Sequence, residues 1–197
     1  MNLQQISKQL LPPGQYQTKE WPILSVGLDP EISKNNWNLT ISGEVENPIT
    51  WNFEEFIKLP VTEMSIDFHC VTTWSLLGTS WTGVKFSEIL KIVRPNISAK
   101  YVLQKSGDEY GYTTGTEITN MNYNDVIIAF AHEGSDIPRE HGGPVRLVNP
   151  HLYAYKSAKW LSEIKFLNKQ ELGFWEAKGY SEQADPMKEQ RYTSDDI

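Results

Sequence analysis

The chain has 197 residues and a formal net charge of −7 at neutral pH, with 39% hydrophobic and 22% charged residues. This length and ordinary composition predict one domain over residues 1–197. The acidic balance argues against binding to a nucleic-acid backbone or to an anionic membrane surface. No apolar stretch approaches the roughly 18 residues that span a bilayer, so we predict no stable membrane insertion.

The residue pattern up to position 93 predicts an irregular beginning, one strand and two short helices. Prolines interrupt residues 1–36, which therefore read as irregular. Apolar and polar residues alternate over 37–43, the pattern of a half-buried strand. Residues 53–57 and 86–93 predict short helices, each of which ends before a proline.

A strand over residues 64–70 comes next. Alternation places the Cys70 side chain on its core-facing side and the His69 side chain on the opposite side. Residues 71–83 show no clear periodicity and are rich in Trp and Gly. We expect an irregular loop there, a common position for a binding site.

The rest of the chain predicts further short strands, over residues 101–104, 126–130 and 145–148. Residues 161–166 fit a strand or a helix equally well, and the polar tail from about residue 176 is expected to wrap the surface. Regular alternation of strand and helix is missing, so a doubly wound sheet is not expected. The sum is a mixed α+β fold with many short strands and a few short helices.

Cys70 is the only cysteine in the chain. It cannot form an intramolecular disulfide or a four-cysteine metal site. The residue alone leaves three interpretations, namely a buried apolar side chain, a nucleophile that works with one of the four histidines, or one thiolate ligand to a metal. The unpaired thiol and the absence of an apolar secretory segment predict a cytoplasmic location.

A second informative block covers residues 141–159. The glycines of His141-Gly142-Gly143-Pro144 let a ligand approach the main chain closely. Arg146 offers a planar fork for a phosphate or a fused heterocycle. Lys156, Ser157 and Lys159 form a plausible phosphate cradle. The alternative is a solvated basic turn.

These motifs together resemble the molybdopterin-dependent oxidoreductases of the sulfite oxidase superfamily. The resemblance rests on Cys-Val-x-x-Trp-Ser at 70–75, His-Gly-x-Pro-x-Arg-Leu-Val at 141–148 and Lys-Ser-x-Lys-Trp at 156–160. Further matches run from Pro12 to Tyr180. The resemblance implies the family's mixed-sheet molybdopterin-binding fold and a Mo-molybdopterin cofactor, in which a pyranopterin dithiolene holds molybdenum.

The resemblance also implies roles for particular residues. Cys70 matches the cysteine whose thiolate binds molybdenum. His141 and Arg146 match positions that contact the pterin and its phosphate. The remaining cofactor contacts that it implies are Ser106, with Thr113 as an alternative, and Lys156, Ser157, Ala158 and Lys159.

Aromatic residues near these motifs are further candidates. Tyr110, with Tyr112 as an alternative, would place a phenol near the metal oxygen, a role that family members give to a tyrosine. Trp74 and Trp81 would wall the molybdenum pocket, although loop tryptophans also pack on cores.

The histidines outside the second block carry weaker signals. His69 neighbours Cys70 and is a candidate cofactor contact or proton-handling group, but its strand phase favours an ordinary histidine with satisfied hydrogen bonds. His132 and His151 lack a carboxylate or thiol partner at metal-ligand spacing, which favours structural or surface roles.

One departure from the family pattern bears on the substrate. Sulfite-oxidizing and nitrate-reducing members usually follow the cysteine with an Arg-rich stretch, which residues 71–74 replace here. The resemblance is closer to the branch of the methionine sulfoxide reductase catalytic subunit, and we expect neither the dimerization domain nor the haem domain of typical sulfite oxidases.

We therefore predict oxygen-atom transfer to or from a small S- or N-oxide. Electrons would come from or go to a separate electron-transfer partner, because the sequence shows no haem, flavin or iron–sulfur motif. The alternatives are a sulfite-oxidizing enzyme and a non-catalytic protein that stores the cofactor.

Overall fold

The computed structural model describes residues 11–196, so the first ten residues of the predicted irregular segment and residue 197 lie outside the described range. The strands and helices in chain order are β1 (Tyr16–Gln17), β2 (Asn38–Gly43), β3 (Ile49–Asn52), α1 (Phe53–Phe56), β4 (Val61–His69), β5 (Trp74–Lys85), α2 (Phe86–Val93), β6 (Tyr101–Ser106), β7 (Thr113–Glu117), β8 (Ile127–His132), β9 (Ser135–Asp136), β10 (Arg146–Val148) and β11 (Leu161–Leu167). Single 3₁₀ turns cover Ile118–Met121, Arg139–His141, Ala154–Lys156, Glu176–Lys178, Pro186–Lys188 and Thr193–Asp195. None of the helices within residues 11–196 is long and apolar enough to cross a membrane.

The strands form two sheets of mixed direction. In the first sheet, β5 pairs with β4 and β8 as antiparallel neighbours and with β1 in parallel, while β8 also pairs with β10 and β9. The second sheet has the order β3-β2-β11-β6-β7, with β2 and β11 parallel. This mixed architecture with few short helices confirms the predicted α+β class.

Local sequence explains both helices. Asn52 caps α1, because its side chain accepts from the Glu55 N–H while the Glu55 carboxylate accepts from the Asn52 N–H. The spacing of Phe86, Ile89 and Val93 buries one face of α2 in the larger core. Both helices agree with the prediction.

The predicted strands over 37–43, 101–104, 126–130 and 145–148 are confirmed as β2, β6, β8 and β10. Residues 161–166, which fitted either element, form the strand β11. Pairing decides this segment, because β11 lies between β2 and β6 in the second sheet.

The loop predicted over residues 71–83 is wrong. Only a short turn follows Cys70, and β5 begins at Trp74 and continues for twelve residues. The strand lacks clear alternation because both of its faces are buried, with Trp81 in one core cluster and Val84 in another. Gly83 is required where β5 pairs with β8, since a Cβ there would lie 2.2 Å from the Ile128 carbonyl oxygen.

The C-terminal segment also differs from expectation. It lies across the molecule as a polar tail would, but Ser181, Ala184 and Gln190 are buried. Tyr180 and Tyr192 form an isolated antiparallel bridge, which folds the segment back on itself. The segment thereby becomes part of the structure that surrounds Cys70.

Candidate active site

A cavity of about 510 Å³ opens beside Cys70, where the N-terminal segment, the turn after β4, the loop between β6 and β7 and the block after residue 141 meet. Eight of the predicted site residues and their alternatives line it, namely Cys70, Trp74, Ser106, Tyr112, His141, Arg146, Ser157 and Lys159. Other predicted residues do not line it, namely His69, Trp81, Tyr110, Thr113, Lys156 and Ala158. The structure therefore gathers motifs that lie up to 89 positions apart in the chain, from Cys70 to Lys159.

Backbone hydrogen bonds hold Cys70 in a tight turn. Its N–H donates to the Trp74 carbonyl at 2.9 Å, and its own carbonyl accepts from the Gln15 side chain at 3.0 Å. The sulfur lies 3.2 Å from the Thr72 hydroxyl oxygen. Burial raises the pKa of the thiol, while the Thr72 hydrogen bonds and the charges of Arg191 and Arg146 oppose that rise.

His69 faces away from the cavity. Its Nδ1 lies 2.8 Å from the Ser75 hydroxyl oxygen between β4 and β5. Burial lowers the pKa of the imidazole, against the opposing charge of Asp67. The strand phase predicted this orientation, and the structure does not support His69 as a cofactor contact.

Arg146 places a buried guanidinium in the cavity wall. Its three hydrogen bonds all end on backbone carbonyls, those of His141, Leu147 and Ser157, at 2.6 to 3.2 Å. The guanidinium carbon lies 5.0 Å from the ring centroid of Phe68. Burial lowers the pKa of Arg146 to about 9, and the group stays cationic at neutral pH.

His141 stacks on Trp21 in the same wall. The two ring centroids are 3.9 Å apart and the planes differ by 12°. Burial, followed by the charges of Arg146 and Lys159, lowers the pKa of His141 to about 4. The imidazole is therefore neutral at pH 7 and can present one N–H donor and one nitrogen acceptor.

Lys159 connects the N-terminal segment to the block after residue 141. Its ammonium donates to the Leu24 carbonyl at 2.7 Å, to the Ser25 hydroxyl at 2.9 Å and to the Glu140 carbonyl at 2.6 Å. Burial and then the charge of Arg146 lower the pKa of Lys159 to about 8. The ammonium is thus charged at pH 7 but loses its proton in mildly alkaline solution.

The glycines before Arg146 pack against their own chain rather than leave room for a ligand. Gly142 has φ of 100°, and a Cβ there would lie 2.7 Å from the Lys159 Cβ. A Cβ on Gly143 would lie 1.9 Å from the Ile137 carbonyl oxygen. These glycines therefore permit close packing that brings Lys159 to the cavity, which corrects the expectation of direct ligand approach.

Lys156 and Ala158 point away from the cavity. The Lys156 ammonium is fully buried, 2.6 Å from the Glu176 carboxylate, and also donates to the Gly115 carbonyl at 2.8 Å. The Ala158 N–H donates to the Gln104 side chain at 3.0 Å. Both residues hold the chain beneath the cavity, so Lys156 is not part of a phosphate cradle.

Removing one partner of this buried ion pair should destabilise the fold. We expect Lys156→Met to lower the free energy of unfolding by about 3–5 kcal/mol, because the Glu176 carboxylate then loses its countercharge. Urea unfolding measures the change. The matched control is Lys34→Met, whose ion pair with Asp136 is exposed and should contribute less than about 1 kcal/mol. Equal effects of the two substitutions would contradict a structural role for the buried pair.

Tyr112, rather than Tyr110, lines the cavity. The Tyr112 hydroxyl donates to the Tyr155 carbonyl, and burial raises the pKa of the phenol well above its usual value. Tyr110 is 57% exposed, with its ring against Gly27 outside the cavity. Trp81 is buried in the core beneath, where its indole N–H donates to the Thr79 hydroxyl.

The sequence interpretation missed much of the cavity wall. The lining residues to which it gave no role are Trp21, Pro22, Leu24, Ser25 and Val26 before β2, and Phe68, Val71, Thr72, Asp108, Ala154, Tyr155, Trp160, Trp175 and Tyr180 farther along. The first group belongs to a segment without periodicity, so no pattern marked it. Trp160, Trp175 and Tyr180 had a signal, because all three lie in stretches that carry the family resemblance.

These donors suit a ligand that combines a soft metal with an anionic group. A lone thiolate is a soft ligand, while guanidinium, ammonium and hydroxyl groups favour phosphate. The Trp74 indole N–H is buried without a hydrogen-bond partner among residues 11–196. Within the same residues, no group of three or more His, Cys, Asp or Glu side chains could hold a metal ion. The donors in the cavity thus suit a metal-containing organic cofactor.

Comparison with known proteins gives the family. A sequence model of the oxidoreductase molybdopterin-binding domain matches residues 26–175, and the chain belongs to this family of molybdopterin-dependent oxidoreductases. It is 38% identical over 186 residues to the uncharacterized oxidoreductase YuiH of Bacillus subtilis (strain 168), covering 94% of this chain and 93% of that protein.

A second relative confirms the predicted superfamily and branch, and a solved structure confirms the fold. The chain is 30% identical over 173 residues to the protein-methionine-sulfoxide reductase catalytic subunit MsrP of Campylobacter jejuni, covering 80% of this chain but 58% of that protein. The sulfane dehydrogenase SoxCD from Paracoccus pantotrophus has the same fold, with a TM-score of 0.67 at 22% identity. That match covers 78% of this chain and 43% of the SoxCD chain.

Proposed function

We propose that this chain catalyses oxygen-atom transfer to or from a small S-oxide at a molybdenum–pterin centre that Cys70 binds. The observation that carries the proposal is the single thiol in one cavity with Arg146, His141 and Lys159. When bound, the molybdenum–pterin group supplies the two-electron change that accompanies movement of an oxygen atom. The similarity to MsrP supports an S-oxide substrate.

The residues of the chain would bind and orient the cofactor. The Cys70 thiolate would stay bound to the metal as an anionic ligand and would not act as a nucleophile. Arg146, Lys159 and Ser157 would hold the pterin phosphate, and neutral His141 would offer a donor and an acceptor to the pterin. The Trp74 indole N–H is a candidate donor to an oxygen atom at the centre.

The charge of the cavity favours a neutral S-oxide over sulfite. Arg146 and Lys159 are the only Lys or Arg residues in the described lining, and the proposal already assigns both to the pterin phosphate. A pocket for a small oxyanion needs fixed cations beside the metal ligand. Residues 71–74, which follow Cys70, carry no charge.

The proposed function is tested with protein from a host that makes molybdopterin. We expect about one molybdenum and one pterin per chain and reduction of S-oxides by a reduced viologen dye, which stands in for the separate electron-transfer partner. Sulfite oxidation without S-oxide turnover would favour the sulfite-oxidizing alternative. Full loading with no redox turnover would favour a cofactor-storing protein. The cytoplasmic location stays a prediction.

Retention of the cofactor should depend on pH through Lys159. The charged ammonium binds phosphate, and the pKa of Lys159 is lowered to about 8. Affinity is therefore highest below that pH and falls as pH rises through it. We expect less pterin to remain after gel filtration at about pH 9 than at about pH 7.

Lys159→Arg provides the matched control for this pH dependence. Its guanidinium keeps the charge to a higher pH, so pterin retention should become flatter across the same range. A wild-type profile that does not change between the two pH values would remove Lys159 from the phosphate site.

A further inference from the structure

Part of the cavity is lined by a continuous aromatic wall, which we define as Val71, Tyr155, Trp175 and Tyr180. The Tyr180 ring centroid lies 5.1 Å from that of Trp175 and 5.5 Å from that of Tyr155. Val71 packs against the same cluster. Tyr155 donates its hydroxyl to the Ser181 carbonyl at 2.7 Å, so that polar group is already satisfied.

The aromatic wall lies directly beside the proposed metal ligand. Val71 is the next residue after Cys70, while Cys70 itself packs in a different cluster with Phe68 and Trp74. The peptide bond between Cys70 and Val71 therefore connects two clusters of packed apolar side chains. A substrate that approaches a metal on Cys70 from the Val71 side meets rings rather than charges.

The cations of the cavity lie over rings outside the aromatic wall. Arg146 lies over Phe68 and Trp21, at 5.0 and 5.6 Å from their centroids. Lys159 lies over Trp160 at 5.3 Å. The proposed function assigns these two residues to the cofactor phosphate. The aromatic wall is therefore available to the substrate.

Two cations near the aromatic wall are committed outside the cavity. Lys156 lies 5.6 Å from the Tyr155 centroid, but it is paired with the buried Glu176. Arg191 donates to the Val71 carbonyl without lining the cavity. The aromatic wall therefore presents rings and no cation to a ligand, a surface that suits a flat or branched hydrocarbon group.

We propose that the aromatic wall holds the apolar substituent of a neutral S-oxide, so that the enzyme prefers aryl or branched-alkyl sulfoxides to dimethyl sulfoxide. This inference rests on the proposed function. In the reductive direction the S–O bond breaks, and the sulfoxide takes two electrons and two protons to give the sulfide and one water. Two equivalents of a one-electron donor, reduced viologen in the test, supply the electrons.

The test compares methyl phenyl sulfoxide with dimethyl sulfoxide in the loaded enzyme. We expect Trp175→Ala to raise KM for methyl phenyl sulfoxide by about 10–100-fold, because the phenyl ring of the substrate loses the indole against which it stacks. KM for dimethyl sulfoxide and kcat for both substrates should change by less than about threefold. Trp175→Leu should act in the same direction and serves if the alanine variant does not fold.

Binding of the product gives a readout that does not depend on turnover. Calorimetry with methyl phenyl sulfide should show weaker binding to the Trp175 variants than to the wild type, by the same factor as the change in KM. The matched control is Leu172→Ala, because Leu172 lies in the same segment, is 51% exposed and does not line the cavity. This control should leave both substrates and sulfide binding unchanged.

The outcomes separate this inference from the proposed function. If the wild type reduces both sulfoxides but Trp175→Ala affects them equally, the aromatic wall does not select the substituent, and the proposed function survives. If the fully loaded wild type reduces neither sulfoxide, both proposals are overturned.

Discussion

Cys70→Ser should give a folded protein that has lost most of its molybdenum and more than about 99% of its oxygen-transfer activity. A serine hydroxyl stays protonated at neutral pH and is a hard, weak ligand, so it cannot replace a thiolate. The hydrogen bonds that hold the turn use the backbone of Cys70 and would remain. Metal analysis, turnover and thermal unfolding of the same preparation measure the three effects.

Thr72→Val is the matched control for this substitution. It removes the hydroxyl that lies 3.2 Å from the Cys70 sulfur but leaves the thiol in place. We expect molybdenum content close to that of the wild type. Turnover by Cys70→Ser at the wild-type rate would contradict the assignment of Cys70 as the metal ligand.

Arg146→Ala should affect both stability and cofactor content. The substitution leaves the carbonyls of His141, Leu147 and Ser157 without their buried donor. We expect the free energy of unfolding of the cofactor-free protein to fall by about 3–5 kcal/mol. The pterin phosphate would lose its most deeply buried cation, so pterin content should fall as well.

Two further variants separate the causes. Arg146→Lys keeps a charge but loses the planar fork, so we expect an intermediate loss of stability. Arg139→Ala removes an exposed arginine that donates to the Asp29 carbonyl and should cost less than about 1 kcal/mol. Full pterin content in Arg146→Ala would remove this residue from the phosphate site. Unchanged stability would contradict the role of its three hydrogen bonds.

Local patterns predicted the elements whose burial is one-sided. The strand β2 and the helix α2 each present one apolar face to a core, so their periods of two and 3.6 residues are visible in the sequence. The strand β5 is buried on both faces, so it shows no clear period of two, and its pairing with β4 and β8 along both edges outweighs its weak propensity. The strand β7, Thr113–Glu117, was missed because its polar composition carries no clear apolar alternation.

The sequence by itself determined the family, the metal ligand that we propose and the cationic part of the cavity. These three predictions depend on residue types within short motifs, such as those around Cys70, His141 and Arg146. A short motif can be read from the sequence without knowledge of the tertiary structure. It also predicted that His69 would face away from Cys70, because alternation along a strand is a local property.

Only the tertiary structure decided which neighbours of these motifs reach the cavity. Lys156 and Lys159 are three residues apart, yet one pairs with the buried Glu176 and the other enters the cavity. Trp21 and Tyr180 lie at opposite ends of the chain and both line that cavity. Side-chain direction in irregular segments depends on contacts between distant residues, and no local period encodes those contacts.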